Sequence, residues 1–356
     1  MEFGIFNLMG SREPNKPTAQ VFGEVAEQTK RADELGYTIA WFAEHHFSNY
    51  CLCASPLMMV AHCASITKTI RLGTAVVVLP LYNPARLAAE VATADALSNG
   101  RLMLGIGSGY QPYEFERFGE TLEDAVPKLF EFMEMLELAF SRDVFSYSGK
   151  HYQVPETHIA PRPVKGLPEI WVAGDNPALH QLAARKGWTV MLTPRHASVP
   201  QLIEARNRLA GVYSGQGLDA ARVAIAPLRH VCITDDKAEA ASFMENARHQ
   251  IRLSQSLRFR EELIDGTMLV EKTYKGEPAI EEFAQHVLIG DAGTVAERLT
   301  ALIAAARPRH MLLHFQAGAS PLKTALNSIE RFATQVRPMI EKELGPLDKL
   351  GIERAA

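Results

Sequence analysis

Cysteine is scarce in this chain, with four in 356 residues at Cys51, Cys53, Cys63 and Cys232. That is too few for a disulfide framework in a chain of this length, and a reducing compartment keeps them as thiols. They do not suggest a metal either. Cys51-Leu52-Cys53 is a C-x-C pair, which places two thiols badly for one tetrahedral ion on a regular strand, so no metal is expected even with His45, His46 and His62 close by. Positive charge is also lacking: 37 Lys and Arg stand against 41 Asp and Glu, for a net charge of -4. No basic footprint for nucleic acid follows, and no Lys/Arg run suggests a membrane surface. The opening Met1-Glu2-Phe3-Gly4-Ile5-Phe6 has neither a basic n-region nor a long apolar stretch, so neither a signal peptide nor a transmembrane helix is expected. The expected setting is cytoplasmic, with small molecules and other protein chains as partners.

What is present is apolar bulk, with 47% hydrophobic and 22% charged residues, enough for a large core in one domain or two. Short β-branched runs alternate with amphipathic stretches. Strands are predicted at 3–8, 38–43, 71–79, 102–106, 170–173, 189–192, 223–233 and 310–315. Helical patterns fall at 18–35, 56–66, 84–97, 122–140, 177–186, 199–213, 236–255, 294–306 and 322–342. Pro56, Pro84 and Pro177 sit where first helical turns tolerate proline, and Gly36, Gly100 and Gly187 stand as stops. Strand three, Thr74-Ala75-Val76-Val77-Val78-Leu79, is apolar without alternation, as suits a parallel sheet covered on both faces. Eightfold strand-helix alternation is the signature of a (β/α)8 TIM barrel.

Two segments exceed ordinary loops, 141–168 and 256–287; the later one is a candidate lid, with surface decoration as its alternative. A barrel places its active site at the C-terminal ends of the strands. There the unusual residues converge: Glu44-His45-His46 after strand two, Leu79-Pro80-Leu81-Tyr82 after strand three, Gly105-Ile106-Gly107-Ser108-Gly109 after strand four and Gly174-Asp175-Asn176-Pro177 after strand five. Trp41-Phe42-Ala43-Glu44-His45-His46-Phe47 ends an apolar run with a carboxylate and two imidazoles, groups that exchange protons near neutral pH. Adjacent loop histidines are otherwise solvated or structural. The glycine run is not a dinucleotide fingerprint, which needs a helix directly after it; Tyr110-Gln111-Pro112 is read as interrupting any such helix. Met58-Met59 and the stripe Phe132, Leu136 and Phe140 read as core. Arg86 and Glu90 have the spacing of a helical ion pair, or reach a second subunit. In Arg229-His230 one side chain is a candidate for the pocket, with core packing as the alternative.

The same residues resemble a known family, the bacterial luciferase-like, flavin-dependent monooxygenases. WFAEHHF, the block RLGTAVVVLPLYNPARLAAEVATADALSNGRLMLGIGSG and the later PEIWVAGDNPAL stand in that family's order and spacing. The resemblance covers nearly the whole chain and implies one barrel domain over 1–356. It implies FMN, taken up as FMNH2, with O2 as co-substrate and a small, largely apolar organic substrate. It also implies an NAD(P)H:flavin reductase as partner, and a homodimer. His45 matches the family's general base or proton donor beside the flavin, with His46 and Glu44 orienting it or belonging to the subunit interface. Ala75-Val76 matches a non-prolyl cis peptide behind the flavin ring, the small Ala75 leaving room. Gly107, Ser108 and Tyr110 match flavin contacts, as do Ala173, Gly174, Asp175, Asn176 and Leu192.

The resemblance weakens at the phosphate. The family's luciferases carry arginines where this chain has Ser108 and near Val126, and here both are absent. Asp175 is expected as a helix N-cap. Either backbone N–H groups of 176–179 hold the phosphate, with Lys128 or Arg195 assisting, or the flavin binds weakly, as suits a two-component system. The alternatives are a deazaflavin-dependent hydride-transfer enzyme on the same barrel, or a flavin carrier without turnover.

Overall fold

The computed structural model of the protein describes residues 1–194 and 196–350. Each predicted apolar run forms a parallel strand: β1 Glu2–Asn7, β2 Ile39–Phe42, β3 Arg71–Thr74, β4 Leu102–Gly107, β5 Glu169–Ala173, β6 Thr189–Leu192, β7 Ile225–Ile233 and β8 His310–His314. Each pairs with the next, and β8 pairs with both β7 and β1, so the sheet closes into a (β/α)8 barrel. Strand three is shorter than its apolar run. A cis peptide at Ala75-Val76 interrupts it, and the chain resumes ladder pairing at Val77–Val78 beside Ile106 and Gly107.

Helices cover the outside. Those that bear on the site are α1 Thr18–Glu34, α2 Pro56–Ala64, α3 Pro84–Leu97, α4 Pro112–Phe118, α5 Ala125–Ser141, α6 Pro177–Lys186, α7 Val199–Gly215 and α8 Lys237–Arg258. Proline opens α2, α3 and α6 as expected. It also opens α4, which corrects the expectation that Pro112 interrupts a helix: its missing N–H belongs to a turn whose donors have no partner within the helix, so proline begins it. Met58 is a second correction, 71% exposed on α2 while Met59 is buried. Phe132 and Leu136 are buried and Phe140 half-buried, and Arg86 Nε donates to Glu90 Oε1 at 2.8 Å along α3.

The register sorts the strands into inward and outward faces. Phe6 aligns with Trp41, Trp41 with Gly73, Gly105 with Trp171, Gly107 with Ala173 and His230 with His314. Trp41 and Trp171 meet inside the barrel with ring centroids 4.8 Å apart. Gly73 is required there, because an added Cβ would sit 2.4 Å from the Trp41 ring. Above the tryptophans the interior is asymmetric: Gly105, Gly107 and Ala173 on β4 and β5 face Phe6, Met191, His230 and His314. Small residues line one side of the mouth and bulky ones the other.

The two long segments are folded. Residues 141–168 hold a hairpin of Phe145–Ser148 and Gln153–Thr157, tied to α5 where Glu131 accepts the N–H groups of Lys150, His151 and Tyr152. Residues 256–287 take in the end of α8, a small hairpin of Ile264–Asp265 and Met268–Leu269, and a helix, Ile280–His286. Helix α8 starts after β7 and crosses the rim. Its Phe243 ring meets His230, its Asn246 accepts from Ala319 N–H after β8 and from Arg12 after β1, and its Ser254 meets the Tyr110 hydroxyl after β4.

Candidate active site

The chain leaves β2 through Ala43 and folds back at once: His45 N–H donates to Cys53 O, Leu52 N–H to Met9 O, and Ser11 N–H to Asn49 O. These bonds fasten the loop after β2 to the loop after β1 and set His45 at the mouth, with a side-chain exposure of 12%. The His45 ring lies 4.9 Å from that of Tyr50 and 5.6 Å from that of Tyr110.

The first turn of α4 supplies the groups that hold this imidazole. Glu114, 1% exposed, brings Oε1 to 3.0 Å from His45 Nδ1 and accepts the His46 N–H at 2.7 Å. Gln111 brings its carboxamide nitrogen to 3.1 Å from the same Nδ1. A carboxylate only accepts, so a bond to Glu114 needs the proton on Nδ1 and leaves Nε2 without one; the Gln111 amide nitrogen, a donor only, then gives its hydrogen to the Tyr110 hydroxyl at 3.1 Å. Glu114 keeps its second oxygen, Oε2, buried and without a protein partner, and so does Gln111 at Oε1.

The side chains of Glu44 and His46 bond to each other, while the His46 backbone N–H goes to the Glu114 oxygen that meets His45. Glu44 lies two residues past the end of β2 with its carboxyl buried. There its Oε1 pairs with His46 Nε2 at 2.9 Å and its Oε2 accepts the Val78 N–H at 3.2 Å. Burial pushes the Glu44 carboxyl above its ordinary range, against the bonds from His46, Tyr82 and Val78. The His46 ring packs edge-on against Phe118 at 4.8 Å. This pair fastens the loop after β2 to the end of β3.

On the other side of the mouth the expected flavin contacts are partly open although their strands are otherwise buried: Ala75, Val76, Ser108, Tyr110, Ala173 and Leu192 are all half-buried. A Cβ on Gly107 would lie 2.7 Å from Val76 Cγ2, so the missing side chain lets Val76 pack closely against β4. Ala75, Gly107 and Ala173 give this side small residues against which a planar ring would lie.

The far end of this side is poor in donors. Asn176, not Asp175, caps α6, its Oδ1 accepting from Ala178 and Leu179 N–H at 2.9 and 3.3 Å. Pro177 has no N–H, so the expected backbone cradle over 176–179 is largely spent on the cap. Asp175 is exposed, Gly174 turns through φ 135° and its carbonyl meets His180 Nε2 at 2.8 Å. Lys128 is engaged by Glu120, and Arg195 lies outside the described residues. The residues here thus offer few free donors to a phosphate.

Of Arg229-His230, the register turns His230 inward beside His314. Arg229 faces outward, 1% exposed, and binds the carbonyls of Leu228, Pro194 and Ala197. Burial holds its guanidinium down to about 10. Among the described residues no three His, Cys, Asp or Glu gather as a metal site, and no helix is long and apolar enough to cross a membrane.

Sequence reasoning missed Glu114, Gln111 and the inward turn of His314. Gln111-Pro112-Tyr113-Glu114 carries a usable signal, since proline followed two residues later by glutamate marks a first helical turn. The chain is 38% identical to uncharacterized protein y4vJ of Sinorhizobium fredii over 97% of this chain and 99% of that one. It is 32% identical to the oxygenase component of a flavin-dependent trigonelline monooxygenase from Acinetobacter baylyi, over 67% of each. The fold matches the oxygenating constituent of 3,6-diketocamphane monooxygenase from Pseudomonas putida, solved with FMN, at a TM-score of 0.76 and 21% identity, over 95% of this chain and 98% of that one. A family profile described as luciferase-like monooxygenase matches residues 1–309, and with the barrel and the site in place the chain belongs to that family of enzymes.

Proposed function

We propose that this enzyme is the oxygenase of a two-component system, taking FMNH2 from a separate NAD(P)H:flavin reductase and using O2 to oxygenate a small organic molecule. The observation that carries the reading is His45, held through Nδ1 by buried Glu114 at 3.0 Å at the mouth of the barrel. With it go the small residues Gly107 and Ala173, paired at the ends of β4 and β5, and Ala75 just past β3. Bound reduced flavin supplies the two electrons that divide dioxygen between product and water.

The chain's own residues do the rest. Ala75, Val76, Gly107 and Ala173 give the ring a flat seat, with Ser108, Tyr110 and Leu192 at its edges. Gly174, Asp175 and Asn176 border the phosphate end, where the shortage of donors favours brief tenancy of a flavin delivered by another protein. His45 exchanges a proton through Nε2, Glu114 fixes the tautomer, and Glu44 with His46 hold the loop in place. Segment 256–287 works as a lid that keeps water from the mouth. Its ion pairs support this: Glu271 binds Arg12, His249 and Arg252, and Glu277 binds Arg248 and Arg252. A homodimer fits exposed Met58 on α2 and Leu97 on α3.

Anaerobic titration with FMNH2, reduced riboflavin and reduced deazaflavin, followed by mixing with oxygen, tests the reading. FMNH2 binds in preference to the deazaflavin, and its oxidation is tightly coupled to product once a substrate is found. His45→Ala binds FMNH2 unchanged and diverts at least tenfold more of the oxygen to hydrogen peroxide, in line with the 10²–10⁴ range of general acid-base catalysis. Preference for the deazaflavin would reassign the enzyme to hydride transfer, and full coupling in His45→Ala would refute the role of that residue.

A further inference from the structure

Helix α8 turns a row of cations toward the segment that follows it. Arg248, His249 and Arg252 lie within about one helical turn, and Arg12 in the loop after β1 reaches the same place. Two carboxylates of the segment answer them. Glu271 Oε1 accepts from Arg252 at 2.8 Å, and its Oε2 meets Arg12 at 2.9 Å and His249 Nδ1 at 2.8 Å. Glu277 accepts from Arg248 at 2.8 Å and from Arg252 at 2.6 Å. The neighbouring Leu269 N–H donates to Asn49 Oδ1 at 2.8 Å, and the Asn49 carbonyl accepts the Ser11 N–H. The segment therefore rests on the loops after β1 and β2, the second of which carries His45.

His249 is the member of this cluster that titrates near neutral pH. It is 5% exposed. A carboxylate only accepts, so Nδ1 carries the hydrogen that meets Glu271, and the lone pair falls on Nε2, which is buried with no partner among the described residues. A proton arriving at Nε2 finds no acceptor and sets another positive charge beside Arg12 and Arg252. Burial holds His249 below its ordinary 6.5, against the bond to Glu271 and with the help of those two guanidinium groups. The carboxyls behave the other way. Burial would raise Glu271 and Glu277, but the arginines, with His249 in the case of Glu271, hold both below 4.5. One turn away, Tyr274 is raised by burial and stays neutral, and Glu245 pairs with the far side of Arg248. The closed segment thus favours a neutral His249 between charged partners.

We propose that Glu271, His249 and Arg12 form an acid-released latch on this segment, which stays closed across the barrel mouth while His249 is neutral and lifts when His249 takes a proton at Nε2. The latch deepens the lid reading above and rests on it for its use in the reaction, but not for the motion. Lifting admits water to both ring nitrogens, so the open form binds a proton near 6.5 and the closed form only below that. Closure is therefore unopposed well above 6.5, and below it each pH unit favours opening by up to about tenfold.

Hydrogen exchange of the full chain between about pH 8 and 5.5, corrected for the intrinsic rate at each pH, is the test. Protection of residues 261–279 is level near pH 8 and falls about three- to tenfold by pH 5.5, while the barrel strands keep theirs. His249→Gln, whose amide still donates to Glu271 but does not titrate, shows no such fall; the wild-type profile stands as a test by itself should that variant fail to fold. Level protection in the wild-type chain, or an equal fall in His249→Gln, would overturn the latch. Acid release of the segment that leaves the dissociation rate of FMNH2 unchanged would uphold the latch and remove the lid reading instead.

Discussion

Gly107→Ala separates the architecture of the barrel from the seat proposed for the flavin ring. The added methyl carbon would lie 2.7 Å from Val76 Cγ2 and 3.5 Å from Ala173 O. Ordinary contact between carbons begins near 3.4 Å, so Val76 must yield by about 0.7 Å or more. Val76 is half-buried and can move toward the barrel mouth, which limits the cost to the lower end of overpacking, about 1 kcal/mol. The same movement carries both methyls into the space assigned to the ring. A rigid ring cannot adapt, and a loss of about 1–3 kcal/mol corresponds to flavin affinity weakened about 5- to 150-fold. Urea unfolding measures the first quantity and anaerobic FMNH2 titration the second. Gly105→Ala is the control with the opposite outcome, because its Cβ would overlap the Thr74 carbonyl oxygen; backbone cannot yield there, and that variant unfolds or fails to express. Unchanged flavin affinity in a folded Gly107→Ala protein would refute the placement of the ring behind Ala75-Val76.

Two further outcomes follow from charge. At the barrel floor Glu2 is held down to about 2: burial would raise it, but a hydrogen bond to His310 and pairing with Arg71 at 2.7 Å outweigh that. His310 is itself kept below its ordinary range by burial, so at neutral pH Arg71 carries the compensating charge. A depressed carboxyl stabilises the fold above its ordinary value of 4.5 and loses that contribution as pH falls toward about 2. Glu2→Gln therefore lowers stability at pH 7 by about 2–3 kcal/mol and flattens the acid-unfolding curve between those values; an unchanged curve in denaturant melts at pH 7, 4 and 3 would refute it. In the proposed lid, Arg252 binds Glu277 Oε1 at 2.6 Å and Glu271 Oε1 at 2.8 Å. Arg252→Ala speeds hydrogen exchange in residues 261–279 about thirtyfold, for about 2 kcal/mol of lost charged hydrogen bonds, with protection of the barrel strands unchanged; equal exchange in both proteins would show that these pairs do not hold the segment.

The barrel was legible in the sequence because its causes are local. Apolar runs of strand length recur eight times, with proline at the first turns of α2, α3 and α6 and glycine stops at Gly36, Gly100 and Gly187 between them, and a parallel sheet with helices outside covers both faces of such strands. The C-terminal rim followed from that topology, and His45 with it. The residues that tune the site were less legible. Glu114 lies far along the chain from His45, and nothing near either residue announces that the first turn of α4 folds back on the loop after β2. Asn176 prevailed over Asp175 as the cap of α6 because the loop's dihedral angles decide which side chain reaches the free amides. The neighbouring Arg229 and His230 face opposite sides of β7 because register assigns one to the helical layer and the other to the interior. The sequence by itself determined the order of elements and the end of the barrel where chemistry occurs, since both follow from periodicity and chain direction. Tertiary structure decided which carboxylate meets His45, which donors are already spent and which way His230 faces, because these depend on partners brought together across the barrel mouth.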